Sequence, residues 1–319
     1  MKSAVQLGEP VREVVKLRSY RIKQIKAHKA LLLMLVPGLL YFIIFHYIPM
    51  FGAVIAFKDF KILGGISASP WVGMKHFNKA FSDPYFYIVL KNSLLISFYK
   101  LLFGFPVPIL FALLLNEIRH VHFKKVAQTV SYLPHFISWV VLSGIFISIF
   151  SLDGIVNSFL KLLSNQPILF LADERYFRSI LVITDIFQSF GWESIIYFAA
   201  IAGISQELYD AAVIDGASRM QRIVHITFPM LLPTICILLI LRMAHVLDAG
   251  FDQIFNMYSA KVYEVSDIID TYVYRKGLID ANYSYSTAVG LFKSVVALIL
   301  IVTVNKIVRM MGGREHTLW

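Results

Sequence analysis

Ionisable side chains interrupt stretches of this chain that are otherwise apolar. They are Lys91, Lys100, Asp185, Glu193, Arg242, Asp248 and Lys293, with the imidazoles of His135 and His245. A charge at bilayer depth is costly, so such residues face a protein interior or a wet cavity. There they either line a polar path for a solute or neutralise one another. Lys91 and Asp248 lie near the ends of their stretches and can reach the interface along their own side chains. Arg242, His245 and Asp248 recur every three residues and would share one helical face. The candidate translocation path is Lys100, His135, Glu193, Arg242, His245 and Lys293. Internal ion pairing, for example of Lys293 with Glu193, explains the same residues equally well.

A second group is polar and lies between two apolar runs. It reads Asp210-Ala211-Ala212, three residues, Gly216, nine residues, then Ile226-Thr227-Phe228-Pro229. Ser205 can cap a helix that starts at Gln206. E-L-Y-D-A-A-V-I favours helix, and Gly216 can end it with a positive φ. R-M-Q-R-I-V-H-I is helical again, and Pro229 with Pro233 marks entry into the next apolar run. The expectation is a short helix-turn-helix lying along a membrane surface. Its small Ala211 and Ala212 allow close approach, and Asp210, Asp215, Arg219 and Arg222 offer charge.

The elements that must position these groups are membrane helices. Of the 319 residues, 58% are hydrophobic and 16% charged, against about half and about a quarter in soluble domains. Six apolar spans stand out, at about 30–57, 88–115, 130–150, 178–203, 230–249 and 286–309. Each can cross a hydrocarbon core, and backbone groups in lipid must be satisfied within the span, so the expected fold is all-α. Prolines at 37, 49, 106, 108, 134 and 233 should kink these helices. Placing both termini inside gives the inner segments 16 of the 30 basic residues and the longer outer segments nine. That distribution favours cytoplasmic termini and a cytoplasmic 204–229 loop. The basic tail 1–29 sets topology or forms an interfacial helix, with Val14, Leu17, Ile22 and Ile25 on one face. The remainder, 30–319, reads as one transmembrane domain.

Several chemistries are excluded. There is no G-x-x-x-x-G-K-[ST] for nucleotide, and no C-x-x-C, H-E-x-x-H or G-x-S-x-G. The single Cys236 allows no internal disulfide. A net charge of +10 fits an anionic inner leaflet better than nucleic acid, which is not an expected partner.

The segment Asp210–Pro229 resembles the EAA loop of bacterial ABC importer permeases, E-A-A-x3-G-x9-I-x-L-P. Asp210 stands for Glu and Phe228 for Leu. FPVPILFALLLNEIR (105–119), QTVSYLPHFISWVV (128–141), FGWESIIYFAAIAGISQELYDAA (190–212) and STAVGLFKSVVALIL (286–300) resemble the polysaccharide branch of that family, most of all the first membrane subunit of alginate importers. The likeness implies a six-span, type I permease in the bacterial inner membrane. It also implies a second homologous permease, two ATPase subunits that bind ATP and Mg, and a periplasmic substrate-binding protein delivering an oligo- or polysaccharide. The cargo would be acidic and alginate-like, or else a neutral oligosaccharide. Asp210, Ala211, Ala212, Asp215, Gly216, Ala217 and Arg219 would contact an ATPase; the chain itself would be no enzyme, with no cofactor and no metal. The competing class is a stand-alone proton- or ion-coupled transporter using Asp185, Glu193 and the histidines, although no internal repeat supports it.

Overall fold

The computed structural model describes residues 28–163, 166–244 and 246–312. The basic tail lies almost wholly outside these residues, as does His245. The described chain is helical with no strand; an isolated bridge joins Lys58 to Trp71. It divides into two compact units, 1–54 and 55–319. In the first, α1 (Lys29–Phe42) is apolar all round and continues through a wider turn at Ile43–Tyr47.

The second unit begins with α2 (Lys75–Phe81) and α3 (Pro84–Tyr99). Asp83 caps α3 by accepting from the Tyr85 amide at 2.9 Å, and Pro84 takes the first helical position, where its missing donor is harmless. α3 runs through a wide turn, Lys100–Gly104, into α4 (Pro106–Asn116). Then follow α5 (Val121–Tyr132), α6 (Trp139–Phe150) and α7 (Ile155–Leu162). The 29-residue α8 (Glu174–Ala202) packs against α3, α4 and α5. After it come α9 (Gln206–Ile214), α10 (Arg219–Arg222) and α11 (Phe228–Ala244). The chain closes with α12 (Phe251–Met257), α13 (Ile269–Tyr274) and α14 (Tyr283–Gly312).

Among the described residues, five stretches are long and apolar enough to cross a membrane: Lys29–Phe57, Pro84–Asn116, Trp139–Leu162, Arg219–Met243 and Tyr283–Ile307. The expected span 178–203 is helical too, as α8, but its charges keep it out of that group. Those charges are tolerated because α8 is wrapped: Phe177, Leu181, Thr184, Ser194 and Tyr197 are buried. The expected third span, 130–150, is displaced. Residues 130–136 finish α5 and a tight turn, Pro134 interrupts the helix, and Ser138 caps a new start at Trp139.

Three wide turns precede prolines at one spacing: Ile43–Tyr47 before Pro49, Lys100–Gly104 before Pro106, and Ile223–Thr227 before Pro229. A proline removes one amide donor and crowds the carbonyl four residues back; a local π turn absorbs both effects without breaking the helix. α10 therefore runs on into α11 rather than stopping at Pro229.

Two clusters hold the unit together around α8. Ile96, Leu142, Phe177, Leu181, Ile254 and Ile268 pack α3, α6, α8 and α12 with the loop before α13. Ile109, Ala112, Tyr197, Ile201 and Leu231 pack α4, α8 and α11. Gly191 allows the end of α5 to touch α8: a Cβ there would lie 2.0 Å from the Ser131 carbonyl oxygen.

Candidate functional sites: an exposed loop and a charged membrane interior

The 205–227 segment folds as its residues suggest. The Ser205 hydroxyl accepts from the Glu207 amide at 3.3 Å and starts α9. Gly216 takes φ 76°, and two bonds close the helix end: the Gly216 amide to Val213 O at 3.1 Å and the Ala217 amide to Ala212 O at 2.9 Å. This pair is a Schellman closure, which needs a left-handed residue at the Gly216 position. Ser218 and Gln221 then exchange side-chain bonds with each other's amides and start α10. Asp210, Asp215, Gly216 and Arg219 are exposed, Ala212 and Ala217 half-buried. Ile214 is 86% exposed and Met220 68%, with Leu208 and Val213 also exposed. These apolar side chains stand exposed beside the charges of the same segment. Sequence reasoning missed Tyr209, whose hydroxyl meets the buried Thr227 hydroxyl at 2.9 Å and ties α9 to the foot of α11.

The interior charges form networks. The Lys100 ammonium lies 2.9 Å from Asp185 Oδ1 and also donates to Gln253 Oε1. Gln253 is fixed in turn, donating to Leu181 O and Thr184 Oγ1, both at 2.7 Å. Arg242 Nη1 reaches both Glu193 oxygens at 2.7 Å, and Arg242 Nη2 lies 3.9 Å from Asp185 Oδ2. Two cations thus meet two carboxylates across α3, α8 and α11. Gly104 leaves room for this guanidinium, and a Cβ at Gly250 would fall 2.5 Å from Lys100 Nζ. Lys293 belongs to a second network, 2.6 Å from Asp248 and 2.7 Å from Asp270. Burial pushes the Asp270 carboxyl up, and Lys293 opposes the shift.

These contacts correct three expectations. Lys293 pairs with Asp248 and Asp270, not with Glu193. Asp248 does not extend alone toward the interface. Nor does it continue the helical face of Arg242: α11 ends at Ala244, and Ala249 and Gly250 turn with φ 47° and 91°. Irregular backbone at membrane depth is tolerated where it is covered by protein or lines a cavity. Here the turn walls a 160 Å³ cavity shared by Ser97, Lys100, Asp185, Arg242 and Asp248. Asp248, paired with Lys293, lines this cavity together with the first network. A 510 Å³ groove beside it is lined by Phe105, Trp192, Glu193, Tyr197, Leu241 and Arg242. His135 stacks on Trp192 with ring centres 4.7 Å apart. So Lys100, Glu193 and Arg242 are brought together, His135 stands next to them through Trp192, and Lys293 connects through Asp248. Gln253 and Asp270 carried no signal in the sequence, because each lies outside the apolar spans, in the 250–285 segment where such residues are ordinary. Among the described residues no group of three or more His, Cys, Asp or Glu side chains could hold a metal ion.

Several membrane-length helices, an exposed helix-turn-helix and a wrapped helix carrying paired charges are features that suit a membrane permease. Residues 104–313 match the family described as the binding-protein-dependent transport system inner membrane component, and the chain belongs to it. Protein LplB of Bacillus subtilis (strain 168) is 46% identical over 89% of this chain and 90% of its own length. The polygalacturonan/rhamnogalacturonan transport system permease protein YteP of the same organism is 44% identical over 89% of each chain. Among solved structures, a chain from a bacterial ABC transporter involved in the import of the acidic polysaccharide alginate superposes with a TM-score of 0.85 at 40% identity, covering 92% of this chain and 99% of that one. A chain of the alginate transporter in complex with its alginate pentasaccharide-bound periplasmic protein gives 0.84 at the same identity. The fold is that of type I ABC importer permeases. The chain is a multi-pass inner-membrane transport component, and the stand-alone transporter reading is set aside.

Proposed function

We propose that this chain is one of two homologous permeases of an importer for acidic, uronate-rich oligosaccharides, with alginate fragments as the first candidate. The carrying observation is the 40% identity, along almost the whole chain, to an alginate importer subunit. A relative named for polygalacturonan supports the same class, since both polymers are built of uronic acids. In this reading a periplasmic protein delivers the cargo and two ATPase subunits bind ATP and Mg. One ATPase seats α9 through Ala211, Ala212, Ala217 and the exposed Leu208 and Ile214, with Asp210, Asp215 and Arg219 at the rim. Both termini are cytoplasmic, residues 1–29 act as a basic topology-setting tail, and 30–319 forms the transmembrane domain.

The interior charges act differently from a free cationic path. Lys100, Arg242 and Lys293 each have carboxylate partners, so they hold α3, α8, α11 and α14 in register beside the groove. Selectivity for acid cargo then rests on the assembled pair of permeases and the delivering protein. The test is ATP hydrolysis by the complete complex in proteoliposomes, with binding protein and either a uronate or a neutral oligosaccharide of equal length. Stimulation by the uronate alone is expected. Stimulation by the neutral sugar alone would overturn the cargo class.

A further inference from the structure

A groove of 590 Å³ runs along α8 beside the end of α3, and Lys100, Asp185, Glu193 and Arg242 are not in its lining. Its polar end holds Glu174, Arg175, Arg178 and Ser179; its apolar end holds Phe103, Ile183 and Ile186. From Arg178 to Ile186 is about 12 Å along the helix axis at 1.5 Å per residue. Phe103 and Ile183 are 56% and 60% exposed, so the apolar end is open rather than filled by the protein.

Arg178 is half-buried and held in place by neutral acceptors. Its Nε donates to Val265 O at 3.0 Å and Nη2 to Asn92 Oδ1 at 2.8 Å. Asn92 is itself anchored to Glu264 O and Asp267 O. Glu174 stands four residues before Arg178 on the same helical face, the usual spacing for an ion pair. Yet neither makes a salt bridge among the described residues; the guanidinium is turned toward α3 and the short helix Tyr263–Ser266. The neighbouring Arg175 is occupied by Asp173 at 2.6 Å.

We infer that this groove binds a phospholipid carrying a primary ammonium beside its phosphate, of the phosphatidylethanolamine class. The phosphate takes the Arg178 guanidinium through charge-assisted bonds, the ammonium takes Glu174, and an acyl chain lies along Phe103, Ile183 and Ile186. Charge complementarity selects this occupant: with Arg175 neutralised by Asp173, the lining keeps one cation, Arg178, and one carboxylate, Glu174, four residues apart and without salt bridges among the described residues, matching a zwitterion in opposite order. The change from charged to apolar along one helix suits an amphiphile. A soluble saccharide would leave the lower wall without a partner of its own kind.

The experiment is lipid retention by the purified complete transporter, followed by native mass spectrometry during titration with phosphatidylethanolamine, phosphatidylglycerol or phosphatidylcholine. Phosphatidylethanolamine should bind most tightly. Arg178→Met should weaken it by about tenfold or more, the equivalent of about 1.4 kcal/mol, and Glu174→Gln should remove the preference over phosphatidylglycerol. Arg178 also bridges helices, so Ile183→Trp supplies an independent arm. It fills the groove from an exposed position and should abolish retention with the unfolding temperature unchanged. Inorganic phosphate at millimolar concentration should not compete. Three results would each overturn the inference: equal retention by wild type and Ile183→Trp, phosphatidylglycerol bound as well as or better than phosphatidylethanolamine, or cross-linking of a cysteine placed at Ile183 to the second permease.

Discussion

At the scale of single residues, two positions separate backbone effects from electrostatic ones. Gly216 has φ 76°, and a Cβ added there would meet nothing within 4 Å, so a substitution is opposed by backbone geometry alone, at about 1–2 kcal/mol. Gly216→Val should leave the complex assembled yet abolish cargo-stimulated ATP hydrolysis, whereas Gly216→Asn, which accepts the left-handed region, should keep most of it. Normal stimulation in the valine variant would remove the case for α9 as the coupling element. Arg242 answers a different question. Arg242→Met strands a mostly buried carboxylate at Glu193, costing on the order of 1–3 kcal/mol. The double variant Arg242→Met, Glu193→Gln should recover most of the lost thermal stability. If the pair is structural, uptake of uronate and neutral oligosaccharides falls together in the single variant. A selective loss of uronate uptake would instead place Arg242 on the path.

At the scale of elements, two contacts set how helices sit against each other. The Tyr209–Thr227 hydroxyl bond links α9 to the foot of α11, and Tyr209→Phe removes about 1 kcal/mol of that link. Membrane insertion should be unaffected and the response of ATP hydrolysis to cargo reduced; an unchanged response would show that α9 is guided by other contacts. Gly191 is the close crossing of the α5 end over α8. Gly191→Ala puts a methyl 2.0 Å from a backbone oxygen that cannot swing aside, and overpacking of this kind costs about 1–3 kcal/mol. A lower unfolding temperature is the expected reading. The exposed Gly144, with nothing within 4 Å of its would-be Cβ, is the control and should accept alanine.

At the scale of the whole molecule, orientation decides whether any of this reaches an ATPase. In a Cys236→Ser background, cysteine at Ser218 should react with an impermeant reagent only from the cytoplasmic side, and cysteine at Ser259 only from outside. Both positions are exposed. Outside labelling at Ser218 would overturn the proposed topology and the ATPase contact together. The opposite result fixes the α8 groove near the outer leaflet, since its polar end lies at the far end of α8 from α9.

The local features were readable in the chain because their causes are local. Helical spans follow from apolar length, distortions of the helices from proline, the start of α9 from Ser205 and its closure from Gly216. The span at 130–150 was misplaced because hydropathy ran smoothly across Pro134 and Ser138, where backbone geometry interrupts the helix. What periodicity could not give was the choice of partner. Spacing tells which residues share a helix, and Lys100, Arg242 and Lys293 were legible as charges within apolar spans. Which carboxylate each one meets depends on how α3, α8, α11 and α14 cross, and on a turn at 246–250 that no pattern announced. Lys100 with Asp185, Arg242 with Glu193 and Lys293 with Asp248 were decided only when the tertiary structure brought separate helices within hydrogen-bonding distance, because a charge in a low dielectric is satisfied by the nearest opposite charge in space rather than in sequence.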